Sequence, residues 1–310
     1  MNKTKIIKDL LKLSPRSAEN EIKVVNFLIN LLKSRNIDHE IQYFNNYYPK
    51  EKVCELDVDG VSVKSRSCCF ESGVIRRKKI VNSIDFDCRK NRNLISYNPK
   101  CEEISLSTYY KKASIAINKS DIKKIKNLRS LKGEVIISKK KFKSANIIVG
   151  NKVNPRNILF CHFDSVLKGA VDNASGVGVL IDLICNYKNL LKNNLFVFSG
   201  SEEISYDWPN YWGYGYRIFE NRYLKILYQV RKIIIVDSVG NGRCQNSQDY
   251  NLQKLAFPIN NLKKIRKKVF IIHGNMNKLM QVYHSELDDI SCINEKYLNQ
   301  VVKLILKIIN

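Results

Sequence analysis

The sequence predicts a three-layer αβα sandwich built on a mostly parallel mixed sheet, with a small, mainly β insertion, and two patterns predict it. From residue 146 onward, apolar strand-like runs alternate with helical stretches, as expected for parallel strands joined by crossover helices and covered on both faces. Acidic or imidazole side chains stand where those runs give way to loops: His162 after NILFC, Asp172 in GAVDNASG, Glu202 and Glu203 after LFVFSGS, Asp237 after IIIV, and His284 in YHSELDD. Open α/β sheets bind ligands at the carboxyl ends of their strands, so these groups are placed to converge on one crevice.

In chain order, residues 4–13 read as a short helix. Residues 18–35 read as a longer one, with Ser17 as its N-cap and Ile22, Val25, Leu28, Ile29 and Leu32 along one face. The β-branched and aromatic run 37–44 reads as a strand. Between 51 and 139 the texture changes to short apolar runs and many lysines, with five of the nine cysteines, and this stretch is expected to form an inserted β subdomain. Residues 1–50 and 140–310 then make one discontinuous domain. Within it, strands are expected at 146–150, 157–162, 194–199, 232–237 and 269–273, and helices at 174–190 and 295–309. Val177, Leu180, Ile181 and Ile184 recur at helical spacing, as do Leu298, Val301, Val302 and Ile305. Gly176 and Gly178 are expected to let their helix approach the sheet closely.

A chain of 310 residues with 44% hydrophobic content can bury a substantial core. Its 53 Lys and Arg against 29 Asp and Glu leave a net charge of +24, which raises the local anion concentration without assigning a function. The basic runs Lys139-Lys140-Lys141 and Lys263-Lys264 with Arg266-Lys267-Lys268 carry no aromatic interleaving in sequence, so they read as solvated faces and no specific nucleic-acid partner is expected. The lysine-studded start does not read as a secretory signal, and no membrane span is apparent. Nine cysteines without a CxxC pair read as reduced thiols in a cytoplasmic protein, with disulfides the alternative for a hyperthermophile.

Each acidic or imidazole group has a plain structural reading beside the chemical one. His162 and Asp164, one residue apart on an extended segment, share a side. Either one binds a metal while the other orients it, or they form a structural pair. Asp172 before a helix is a bridging carboxylate or an ordinary cap. Adjacent Glu202 and Glu203 repel unless a cation or solvent separates them, and one ligand with one general base is the economical account. Asp237 at a strand end must be solvated, capped or bound to something positive. His284 alone would be structural, and His39 and His273 are read that way.

Taken together, His162-Phe163-Asp164, Asp172-Asn173-Ala174-Ser175-Gly176, Glu202-Glu203, Asp237 and His284 resemble, in motif and order, the zinc aminopeptidases of metallopeptidase family 28. The resemblance covers 146–310 and, less fully, the helical start. It implies two Zn²⁺ ions, with Co²⁺ or Mn²⁺ as substitutes, bridged by Asp172. His162 and Asp237 complete one site, Glu203 and His284 the other. Glu202 is then the general base, Asp164 the orienting acid, and the Asp172-Asn173 peptide is cis. Peptides are the implied substrates, cleaved from the amino terminus. The aromatic segment ISYDWPNYWGYGYRIFE departs from the short glycine-containing segment usual after the double glutamate; it lines a side-chain pocket or packs a loop against the sheet. Residues 113–138 faintly resemble the end of a protease-associated domain.

The competing readings are a carboxypeptidase or dipeptidase of related type, a glutaminyl cyclase, and a basic binding protein on the same scaffold. An intact D-N-x-S-G segment favours the peptidase over the cyclase, and an intact Glu202 argues against a mere scaffold. Substrate preference and oligomeric state are not legible.

Overall fold

The structure is a computed structural model that describes residues 2–89, 92–126 and 129–309. The chain divides into two compact units, the first comprising Met1–Asn46, Phe142–Leu279 and Asp289–Asn310, the second Tyr47–Lys141 and Met280–Asp288.

The first unit is the expected αβα sandwich. Strands Lys232–Val236, Asn157–His162 and Asn194–Ser199 lie side by side and parallel, and Val269–His273 continues the parallel set beyond Lys232–Val236. Antiparallel strands flank them: Gln245–Ser247 on one side, and on the other Leu131–Gly150, followed in the sheet by His39–Val58. The last two run well past the expected 146–150 and 37–44.

Alternation of side chains on the strands feeds two cores. Leu159 and Cys161 face one with Phe196, Phe198 and Ile234, covered by helices Lys3–Leu11, Glu21–Lys33, Ser175–Asn186 and Glu295–Ile309. Ile158 and Phe160 face the other with Val197 and Ile235, covered by Tyr214–Gln229, Tyr250–Ala256 and Leu262–Ile265. Fully burying each such side chain contributes about 1.5–3 kcal/mol, so both strand faces are strongly specified. Leu180 is fully buried in the first core, and truncating it to Ala would cost about 2–5 kcal/mol.

Local differences have local causes. Ser17 makes no side-chain cap; a 3₁₀ turn over Ala18–Asn20 precedes the helix at Glu21. Gly176 does allow close approach to the sheet, because a Cβ there would sit 2.7 Å from the Val236 carbonyl. Gly178 serves another contact, since its Cβ would meet Ile7 and the Lys3 carbonyl at 3.2 Å, in the first helix rather than the sheet.

The second unit holds a sheet in the order Ser65–Ser67, Ser114–Ile117, Leu94–Tyr97, Ile80–Asn82, around a core that includes Leu56, Val63, Ile75, Ile95, Ile115 and Val135. The segment Met280–Asp288 is tied into it. Asn98 Nδ2 donates to Met280 O at 2.9 Å, Ser105 Oγ to Tyr283 O at 2.7 Å, and Leu106 N to His284 O at 2.9 Å.

Candidate metal centre

Three adjacent parallel strands end at the site. His162 is the last residue of Asn157–His162 and pairs in register with Ser199. Beyond Ser199, where the neighbouring strand ends, the chain runs through Gly200 and Ser201 to Glu202 and Glu203, and Asp237 follows Val236 on the other side. Asp172 comes from the loop before helix Ser175–Asn186. The turns after two of these strands bend sharply, with Ser201 at φ 52° and Ser238 at φ 53°, a region that non-glycine residues rarely occupy and that clusters at functional sites. The Asp172-Asn173 peptide is cis.

Asn173 locks two of these loops together. Its Nδ2 donates to Val236 O at 2.9 Å, while its Oδ1 accepts from Gly176 N at 3.0 Å and Ser238 N at 3.3 Å. A Cβ on Gly176 would come within 2.5 Å of that Oδ1, so glycine is required beside it.

The side chains converge around His162. Its Nε2 lies 3.1 Å from Asp172 Oδ1 and 3.6 Å from Asp237 Oδ1, and its Nδ1 lies 3.5 Å from Asp164 Oδ1. The last distance is too long for a well-formed hydrogen bond, and neither atom has a nearer partner among the described residues. Ligating atoms of His162, Asp172 and Glu203 all fall within 4.8 Å of one another, and all three residues are buried. A tetrahedral divalent ion with nitrogen and oxygen ligands at about 2.0–2.2 Å places neighbouring ligand atoms about 3.4 Å apart, so the two distances from His162 Nε2 to Asp172 and to Asp237 each fit one.

The electrostatics point the same way. Burial alone would push the His162 imidazole down, but Asp164, Asp172, Asp237 and the charge of Glu202 outweigh it and hold it well above its usual range. Burial pushes the Glu202 carboxyl well up; His162 opposes this, while Glu203, Asp164 and Asp237 add to it. Buried carboxylates gathered this way need a cation or a proton among them.

Sequence reasoning missed the supports. Arg16 is fully buried, and its guanidinium donates to the carbonyls of Phe163 at 2.7 Å, Gly169 at 2.7 Å and Lys168 at 2.9 Å, closing the loop that runs from His162 towards Asp172. Glu21 is buried, accepting from Ser201 Oγ at 2.9 Å and from Ser144 Oγ, and burial followed by the charge of Asp164 pushes its carboxyl well up. Arg16 sits in a polar loop and Glu21 opens an amphipathic helix, so local pattern gives neither away.

The aromatic segment after Glu203 is a closed loop followed by a helix that sequence did not suggest, Tyr214–Gln229. Trp208 stacks on Tyr211, and Tyr211 meets Trp212 edge-on at 5.2 Å. Arg217 staples this loop, donating to Asp207 Oδ2 at 3.0 Å, Trp212 O at 2.8 Å, Asn210 O at 2.9 Å and Pro258 O at 3.0 Å. Trp212 also lines a cavity of about 420 Å³ with Tyr250, Leu255 and Pro258.

The remaining histidines lie as follows. His284 belongs to the second unit, where its Nδ1 is 3.1 Å from Leu106 O and its ring stacks on Tyr283 at 3.8 Å. His273 contacts its neighbour's carbonyl, Gly274 O, at 2.9 Å, and His39 contacts Ile37 O at 3.1 Å, as structural histidines do. The basic runs are largely exposed, but aromatic rings meet them across space: Lys139 Nζ lies 4.3 Å from the Tyr47 ring centre, and the Arg266 guanidinium 5.3 Å from that of Tyr250. None of the described helices is long and apolar enough to cross a membrane.

A mixed sheet between two helical layers, with an imidazole and carboxylates gathered at the ends of its parallel strands, defines an α/β fold with a metal-type site. Residues 146–245 match the model of Peptidase family M28, which bears out the resemblance to metallopeptidase family 28 over the segment that holds His162, Asp172, Glu202, Glu203 and Asp237. A comparison with curated proteins finds no match. Among solved structures, a zinc aminopeptidase from Bacillus subtilis has a TM-score of 0.70 at 17% identity, covering 98% of this chain and 93% of that one. An aminopeptidase from Aneurinibacillus sp. strain AM-1 has a TM-score of 0.65 at 16% identity, covering 98% and 91%. A glutaminyl cyclase from Porphyromonas gingivalis has a TM-score of 0.55 at 14% identity, covering 99% and 95%. At these identities the likeness is one of fold.

Proposed function

We propose that this chain is a zinc-dependent exopeptidase, an aminopeptidase that removes amino-terminal residues from peptides at a two-ion centre. The observation that carries this reading is His162 Nε2 lying 3.1 Å and 3.6 Å from carboxylate oxygens of Asp172 and Asp237, with Glu203 in the same buried group. His162, Asp172 and Asp237 would hold one ion, with Asp172 shared and Glu203 turned to the second. His284 is assigned to the second ion by motif order. Residues 1–50 and 140–310 would be the peptidase domain and 51–139 the insertion, with Met280–Asp288 folding among the residues of the second unit.

Bound zinc would polarise the scissile carbonyl and lower the pKa of water at the site. The protein's own groups do the rest. Glu202, buried and with its carboxyl raised, takes a proton from the attacking water as the C–O bond forms and delivers it to the departing amine as the C–N bond breaks. Asp164 faces His162 Nδ1 and so keeps Nε2 turned towards Asp172 and Asp237. The buried carboxylates also suit the substrate's free α-ammonium, which is why an exopeptidase is favoured over internal cleavage.

The test is hydrolysis of aminoacyl anilides by protein stripped with a chelator and then given zinc or cobalt. Activity lost on stripping and regained on addition supports the proposal. Cyclisation of amino-terminal glutamine without hydrolysis would replace it with a glutaminyl cyclase. Salt-sensitive binding to nucleic acid without either reaction would leave a scaffold protein.

A further inference from the structure

The second unit contains a basic concavity that the proposed hydrolysis does not use. It has a volume of about 850 Å³ and is lined by Val74, Arg76, Arg77, Lys78, Lys79, Arg92 and Asn93. Arg76 to Lys79 are consecutive, and on a regular strand successive side chains would leave by opposite faces. They sit instead on irregular backbone between strands Gly73–Ile75 and Ile80–Asn82, so all four line the same hollow.

Arg92 is brought in from another segment. Asn93 Nδ2 donates to Val74 O at 2.8 Å, pinning the 92–93 turn against the end of strand Gly73–Ile75. Of the nearby acids, Glu71 pairs with Lys112 at 2.7 Å and Asp87 lies 3.7 Å from Arg89. Among the described residues no carboxylate pairs with Arg76, Arg77, Lys79 or Arg92. Gathering cations without counter-charge raises the energy of the empty protein and makes a focus of positive potential.

We propose that this concavity binds a small oligophosphate, an anion with two or more linked phosphate groups. Three guanidinium forks match phosphate oxygens in a way that ammonium groups alone do not, and the four cations without a carboxylate partner among the described residues, Arg76, Arg77, Lys79 and Arg92, exceed what a single carboxylate or orthophosphate would neutralise. The volume falls within the usual range for small-ligand sites. Among the described residues no aromatic side chain lines the hollow, so a nucleobase gains no stacking there and the phosphate chain is what is read. The site stands independently of the proposed peptidase activity.

Calorimetric titration of the full chain at physiological ionic strength tests this, using inorganic triphosphate, ATP and orthophosphate. Triphosphate and ATP are expected to bind once per chain with similar affinity, and orthophosphate at least about tenfold more weakly. The double variant Arg76→Ala/Arg92→Ala, at two exposed positions, should weaken triphosphate by about tenfold or more, and Arg76→Lys/Arg92→Lys by a smaller factor. Lys263→Ala/Lys264→Ala removes the same charge from another run and should leave the affinity unchanged, as should Asp172→Ala, which removes the proposed metal position. Equal weakening by both alanine pairs would reduce the effect to net charge and overturn the site, as would loss of binding in Asp172→Ala or no binding at all. A single-stranded oligonucleotide that binds more tightly than triphosphate and is weakened by the Lys263/Lys264 pair would replace it with a nucleic-acid surface.

Discussion

The backbone N–H of Glu203 donates to Asp164 Oδ2 at 2.9 Å, while the other oxygen of the same carboxylate faces His162 Nδ1 at 3.5 Å. One side chain therefore sets the position of two proposed ligands, one at the end of a strand and one in the loop after its neighbour. Asp164 is 1% exposed, so its charge is poorly screened and its influence on both is strong.

Replacing Asp164 by Asn keeps the shape and one acceptor but removes the charge opposite His162. Metal affinity is expected to fall by about 10–100-fold, the usual consequence of losing a group that orients a ligand. Competition with a chromophoric chelator measures this, and an unchanged affinity would separate Asp164 from the metal centre.

Arg217 should govern the loop after the double glutamate. It is 6% exposed, and its removal would leave the carbonyls of Asn210, Trp212 and Pro258 without their donor. Arg217→Met is expected to cost on the order of 3 kcal/mol, from the loss of several charge-assisted hydrogen bonds that do not add fully. The chain's two tryptophans, Trp208 and Trp212, both lie in this loop, so their fluorescence should shift to longer wavelength in the variant. Native-like emission with unchanged melting would show that the loop holds without the staple.

Much of this arrangement is legible in the sequence, and the boundary has a physical origin. His162, Asp237 and the double glutamate follow uninterrupted apolar runs that can only be central strands, so their convergence follows from sheet topology. Arg16 reaches the site through carbonyls 147 or more residues away, Glu21 through hydroxyls 123 and 180 residues away, and Arg217 through loop carbonyls that carry no side-chain pattern. Helix Tyr214–Gln229 was hidden because YGYRIFENRYLKILYQ mixes large aromatics with charges, and only packing of Tyr216 and Phe219 on Phe160 reveals its buried face. The long strands beyond residues 44 and before 146 were hidden by lysines and asparagines, which tolerate an exposed strand face without advertising it.

A pH prediction comes from Glu40. Its carboxylate accepts from Tyr223 Oη at 2.6 Å and pairs with Arg222 at 2.8 Å and Lys152 at 3.4 Å; the Tyr223 hydrogen bond, helped by the two cations, holds it below its ordinary range against the opposing effect of burial. A depressed folded-state value means that the contribution is present above the unfolded carboxylate pKa of about 4.3 and is lost as pH falls through the folded value. Being solvent-screened, the network contributes at most about 1 kcal/mol. Glu40→Gln should flatten the acid limb of the stability curve and leave the slope near neutrality unchanged, as followed by denaturant midpoints across pH.

The division of labour between Glu202 and Glu203 is tested most directly by paired measurement of metal content and kcat in Glu202→Gln and Glu203→Gln under saturating zinc. General-base removal typically lowers rate by about 10²–10⁴. Glu202→Gln is therefore predicted to keep its metal and lose turnover by that factor, while Glu203→Gln loses occupancy of one ion. Near-normal kcat in Glu202→Gln, or metal loss there with full occupancy in Glu203→Gln, would contradict the assignment.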